Sequence, residues 1–252
     1  VSLDLRPAAA PAPRVSRVVR HALMETGLLV RNGEQLLLAL VIPLALVIGQ
    51  ATIGTRFGIA REPFVASVIA LGLWSSGFTS PAITTAFERR YGVLERLVAT
   101  PLRRADLLLG KATMIALVAL GQAAVLVVAG LLTGWAPRSA WPQTLVLAGV
   151  VPLALAAFAG LALSLAGRAS AELTLGLANL VYLLGAASGL LVPVAAFPAW
   201  AQPLLAALPT TALGQTLRTW ASGGFDPWPL LVVLLWAVGA LVLARKVFRW
   251  TS

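Results

Sequence analysis

The run Phe87-Glu88-Arg89-Arg90-Tyr91-Gly92-Val93-Leu94-Glu95-Arg96-Leu97-Val98-Ala99-Thr100-Pro101-Leu102-Arg103-Arg104-Ala105-Asp106 is a long charged stretch between two very apolar segments. It holds five of the nineteen Lys and Arg and three of the nine acids. Helical spacing places Tyr91, Leu94, Leu97 and Val98 on one face and leaves Glu88, Arg89, Glu95 and Arg96 polar. Thr100-Pro101 then predicts a break, because Thr is a good N-cap and Pro at a first helical position loses only an unpaired N–H. A second helix is expected to run through Lys111 into the next apolar segment. Gly92 costs about 1 kcal/mol in a helix relative to Ala, which points to a bend or a close approach there. A stretch this charged does not sit in lipid, so it projects into water or lies at the membrane surface. Two readings are open: a basic loop that only sets topology, or a patterned face offered to a partner.

The composition of the whole chain points to a membrane. Of the 252 residues, 59% are hydrophobic and 11% charged, with a mean hydropathy of +0.90. A soluble domain carries about a quarter charged residues. The expected fold is therefore an all-α membrane protein. A net charge of +10 suggests nucleic acid in a soluble protein, but here the preference for cytoplasmic Arg explains it, and no nucleic acid is expected. Without cysteine there is no disulfide, thiol nucleophile or thiolate metal site.

Apolar runs predict six transmembrane helices, over 36–53, 64–86, 113–132, 144–166, 173–194 and 229–244. Residues 1–13 are expected to be a disordered cytoplasmic lead and 14–34 an interfacial amphipathic helix, ahead of a transmembrane domain over 35–252. That helix has Val15, Val18, Val19, Ala22 and Leu23 as apolar residues and Arg14, Arg17, Arg20 and His21 as a basic side. His21, the single histidine, is expected at the surface. Residues 195–228 read as a long external segment with one or two short helices, surface-packed or re-entrant. Trp135 and Trp141 suggest an aromatic belt, and the GxxxG pairs Gly130/Gly134 and Gly185/Gly189 are weak packing signals in so glycine-rich a chain. With both termini cytoplasmic, fifteen Lys and Arg fall inside and four outside: Arg56, Arg61, Arg138 and Arg218.

The second span is polar in its later half, with Ser75, Ser76, Thr79, Ser80, Thr84 and Thr85 around Gly77 and Pro81. These hydroxyls either re-satisfy backbone groups freed by Pro81 or line a translocation path. Ser76, Thr79, Gln122, Asn179 and Tyr182 are the candidate path residues.

The charged stretch also resembles the region after the second transmembrane helix of type 2 ABC transporter permeases. The matching residues are Glu88-Arg89-Arg90, Gly92-Val93-Leu94-Glu95, Thr100-Pro101 and Gly110-Lys111. A second ordered match is Phe197-Pro198-Ala199-Trp200, Leu208-Pro209-Thr210 and Arg218, similar to the family's segment before its last helix. The resemblance covers residue 36 onward. It implies an exporter's membrane subunit in a bacterial plasma membrane, pairing with a second permease copy and with a separate P-loop ATPase subunit. Glu88, Arg89, Gly92, Glu95 and Arg96 are then the candidate ATPase-coupling residues. ATP belongs to the partner, and this chain is expected to bind no cofactor or metal.

The chain's own chemistry agrees with a non-enzyme. Gly110-Lys111-Ala112-Thr113 fails as a P-loop: position 105 is Ala where a first Gly belongs, and Ala follows the Lys. No Asp or Glu falls inside an expected span, which counts against an ion-driven carrier and favours an apolar or amphipathic substrate such as a drug, lipid or lipid-linked glycan. The alternative is a non-transporting membrane scaffold or sensor subunit.

Overall fold

The computed structural model describes residues 12–31, 33–98 and 102–248. All regular structure among them is helical. Helix α1 is Arg14–Arg31 and α2 is Gly33–Thr52. A continuous rod then combines α3 (Arg61–Trp74), a π-helical segment (Ser75–Thr79) and α4 (Ser80–Arg90). The short α5 (Val93–Val98) precedes α6 (Arg104–Leu132) and α7 (Trp141–Ala166). Helix α8 (Ala171–Gly185) continues into a second π segment, Ala186–Leu190. Helices α9 (Gln202–Ala206), α10 (Pro209–Ala221) and α11 (Trp228–Val247) complete the chain.

Among the described residues, five helices are long and apolar enough to cross a membrane: Arg61–Arg90, Ala105–Leu132, Trp141–Ala166, Ala171–Leu190 and Trp228–Val247. In α2 the apolar stretch Leu40–Thr52 is shorter. The chain is a multi-pass membrane helix bundle. Its most buried rod is Arg61–Arg90, around which the other helices stand. At its centre Trp74 stacks on Phe78 at 4.5 Å between ring centroids and meets Phe158 edge-on at 4.6 Å. A close backbone approach lies elsewhere: a Cβ on Gly160 of α7 would fall 2.7 Å from the carbonyl carbon of Ala240 on α11. That glycine lets the two backbones touch, which in lipid is a main source of helix association. Neither expected GxxxG pair works this way, since Gly134 and Gly189 both have positive φ and lie where their helices end.

Pro81 is absorbed by the π segment before it. Ser80 N–H bonds Ser75 O, five residues back, so the helix is already widened where the ring enters at the first turn of α4.

Several expectations are corrected. The helix of the charged stretch breaks at Tyr91-Gly92, where Gly92 has φ +68°, a left-handed conformation that favours glycine. Tyr91 is consequently exposed and does not share a face with the fully buried Leu94. Thr100-Pro101, most of the 1–13 lead and Arg249 lie outside the described residues. Trp135 is buried, with its indole N–H donating to Glu62 O at 3.2 Å, so it is no belt residue; Trp141 is exposed.

The fifth span ends at Leu190, earlier than expected, because Gly189 turns the chain with φ +99°. Helix α10 fills the space beyond and is largely buried against α3 and α7. Arg218, expected in an external loop, is buried there: its guanidinium donates to Gly189 O at 2.7 Å, to Leu190 O and to Ser67 Oγ at 3.1 Å. Thr211 Oγ1 donates to Ser188 O. Thr211, the residue after the Leu208-Pro209-Thr210 match, and Arg218 thus satisfy carbonyls freed where α8 unwinds.

Candidate functional site

Within the charged stretch, three consecutive residues at the end of α4 tie it to the bundle. On α4, Glu88 faces Lys111 of α6, with Nζ 2.5 Å from Oε2. Lys111 also holds Glu25 of α1, at 3.0 and 3.2 Å from its two carboxylate oxygens. Next to Glu88, the Arg89 guanidinium donates to Ala169 O in the turn between α7 and α8. Arg90 pairs with Glu172 at the start of α8. The end of α4 is therefore fixed to α6 and α1 on one side and to the α7–α8 turn on the other.

Helix α1 is pinned by the same charges. Lys111, His21 and Glu25 are only 3%, 4% and 8% exposed. A Cβ on Gly110 would fall 2.4 Å from His21 Cδ2, so the imidazole occupies space that any other residue would fill. His21 Nε2 lies 3.2 Å from Glu25 Oε1. Burial lowers the His21 pKa, Lys111 adds to that, and Glu88 opposes it. One turn earlier in α6, Asp106 is fully buried beside Arg14 and Arg17, at 2.5 and 3.5 Å. The apolar Val15, Val19, Leu23 and Leu28 of α1 face outward. A helix held inward by charges and showing its aliphatic side outward suits a membrane surface.

Beyond the Tyr91-Gly92 turn, α5 lies across the bundle end. Leu94 is fully buried against Leu163, Ala244 and Phe248, with Leu97 beside it. Glu95 and Arg96 point away, exposed, together with Tyr91. This short plate, apolar below and charged above, rests on anchored neighbours.

A cavity of about 350 Å³ opens between α1, α2, α6 and the first π segment. Its walls include Leu29, Ile83, Leu117 and Val125, with a polar seam of Thr26, Ser75, Ser76, Thr79, Ser80 and Gln122. No described lining residue is charged. Ser76 donates to the Gln122 side chain, while Thr79 Oγ1 is buried with no hydrogen-bond partner among the described residues.

A family model described as ABC-2 family transporter protein matches residues 56–244. The chain belongs to the ABC-2 transporter family. Two proteins from strains of Mycobacterium tuberculosis, each named probable doxorubicin resistance ABC transporter permease protein DrrC, are 28% identical to it over 181 residues. The match covers 71% of this chain and 65% of theirs.

In this ABC-2 protein the candidate residues divide. Of the coupling set, Glu88 and Arg89 are engaged inside the bundle, Gly92 makes the turn, and Glu95 and Arg96 face outward. Of the path set, Ser76, Thr79 and Gln122 line one cavity. Asn179 does not join them: it is exposed on α8, with its amide donating to Leu175 O at 3.0 Å. Tyr182, half-buried on the same helix, also lies outside that lining. Sequence reasoning missed the roles of His21, Glu25 and Lys111. A signal was present, because Arg14, Arg17, His21 and Glu25 recur at helical spacing and Lys111 interrupts a strongly apolar helix.

Proposed function

We propose that this chain is the permease subunit of an ATP-binding-cassette exporter, moving an apolar or amphipathic substrate with ATP hydrolysed by a separate subunit. In this reading α2 supplies a sixth crossing, both termini lie in the cytoplasm of a bacterium, and two permease copies pair. The observation that carries it is α5: a plate with Leu94 beneath and Glu95 and Arg96 outward, beside a helix end tied to α1, α6 and the α7–α8 turn. A partner pushing on α5 pushes on those elements together. The same arrangement is more than a topology-setting loop needs. The uncharged cavity with its hydroxyl seam supports an amphipathic rather than an ionic substrate. The relatives' names, which specify doxorubicin resistance, support a drug-like cargo.

The test is Glu95→Arg with a co-expressed partner P-loop ATPase subunit. Close charge pairs at an interface are worth on the order of 1.5–7 kcal/mol. The variant is expected to lose ATPase pull-down and drug efflux at matched expression. Arg138→Glu, on the side of the bundle away from α5, is expected to keep both. Parental binding and efflux by Glu95→Arg would leave the stretch as a topology-setting loop.

A further inference from the structure

A second, larger cavity of about 750 Å³ sits at the same bundle end as α5, where α6 begins and α7 and α11 finish. Its walls are apolar, formed by Leu108, Ala112, Leu163, Leu241 and Phe248. The charged residues of its lining are all basic: Arg14, Arg245 and Lys246. Arg14 is already neutralised, since its Nε bonds Asp106 at 2.5 Å. Arg245 and Lys246, in the last turn of α11, are exposed and form no ion pair among the described residues. The cavity therefore combines an aliphatic slot with two uncompensated positive charges at the end of a membrane-spanning helix. That is where lipid phosphates lie.

We propose that this cavity binds an anionic phospholipid, its phosphate against Arg245 and Lys246 and the first part of an acyl chain in the slot between α6 and α11. Charge selects the headgroup class, because a zwitterionic lipid gains much less from two cations. The aliphatic wall selects a lipid over a soluble phosphate, which has nothing to place against Leu108 or Leu241. Leu108, Leu163 and Phe248 also form the bed of Leu94 and Leu97, so a lipid here touches the underside of α5.

The purified full chain, in mixed micelles of equal phosphatidylglycerol and phosphatidylcholine, is examined by native mass spectrometry for retained lipid. The parent is expected to retain phosphatidylglycerol preferentially. Each cation lost lowers affinity about fivefold, so the R245Q/K246Q pair of exposed substitutions is expected to cost roughly 25-fold. A112F, which fills the slot, is expected to abolish retention while both cations remain. R20Q, an exposed cation on α1 outside the cavity, is expected to change nothing. Parental retention by R245Q/K246Q overturns the proposal. Parental retention by A112F reduces the effect to general surface charge and overturns the site. Displacement of the lipid by millimolar glycerol 1-phosphate assigns the cations to a soluble phosphate and overturns the choice of lipid.

Discussion

His21 lies over Gly110 so closely that a Cβ at position 110 would fall 2.4 Å from the imidazole Cδ2. The contact ties the basic face of α1 to α6 through shape, while Lys111, the next residue, ties it through charge. Gly110-Lys111 therefore works as one structural unit, with space from the first residue and a cation from the second.

That relationship predicts coupled substitutions. Gly110→Ala overpacks the site and is expected to cost about 1–3 kcal/mol, read from detergent-solubilised thermal or chemical unfolding. In a His21→Ala background the same change is expected to cost much less. Additive costs would mean that the imidazole does not occupy this space.

Lys111 stands between two carboxylates, so removing it leaves Glu25 and Glu88 facing each other without their shared ammonium. Lys111→Met is expected to cost about 3–5 kcal/mol. Glu88→Gln keeps the Lys111–Glu25 pair and is expected to cost distinctly less. Replacing all three by apolar residues should recover much of the loss, because no unpaired charge is then buried. Equal losses for Lys111→Met and Glu88→Gln in the same unfolding assay would contradict this.

Acidification is expected to loosen α1. Burial first, and Lys111 second, keep the His21 pKa below its ordinary value of 6.5, with Glu88 acting the other way. The unfolded chain thus binds the proton first, so this contribution is complete above 6.5 and declines as pH falls from there towards the folded pKa. Limited proteolysis within α1 should accelerate over that window in the parent and not in His21→Asn. Identical pH profiles would remove His21 as the cause.

Arg218 is expected to be indispensable although it belongs to no candidate site. Its loss leaves the Gly189 and Leu190 carbonyls without their guanidinium donor at the unwound end of α8. A buried group left unpaired costs about 1–3 kcal/mol, so Arg218→Met should be destabilising by several kcal/mol. Arg218→Lys should recover only part, since one ammonium cannot reproduce the planar fork. Parental stability of Arg218→Met in a thermal melt would show that other groups serve these carbonyls.

Periodicity and charge alone determined most of the bundle. Continuous apolar runs of this length become helices, because a single segment in lipid can pair its own N–H and C=O groups only that way. For that reason the spans from residue 61 onward were legible, as were the surface character of α5 and the division between Leu94 below and Glu95 above. Tertiary structure decided which polar residues meet. Glu88 and Glu95 look alike in sequence, yet one is held by Lys111 and the other faces outward, because the Gly92 turn falls between them. His21 read as a surface residue and Arg218 as part of an external segment, yet Gly110 leaves room for one and the unwound end of α8 supplies carbonyls to the other. The physical reason is distance along the chain. Helix formation depends on neighbours within a turn, whereas His21 and Gly110, or Gly189 and Arg218, meet only after the helices pack.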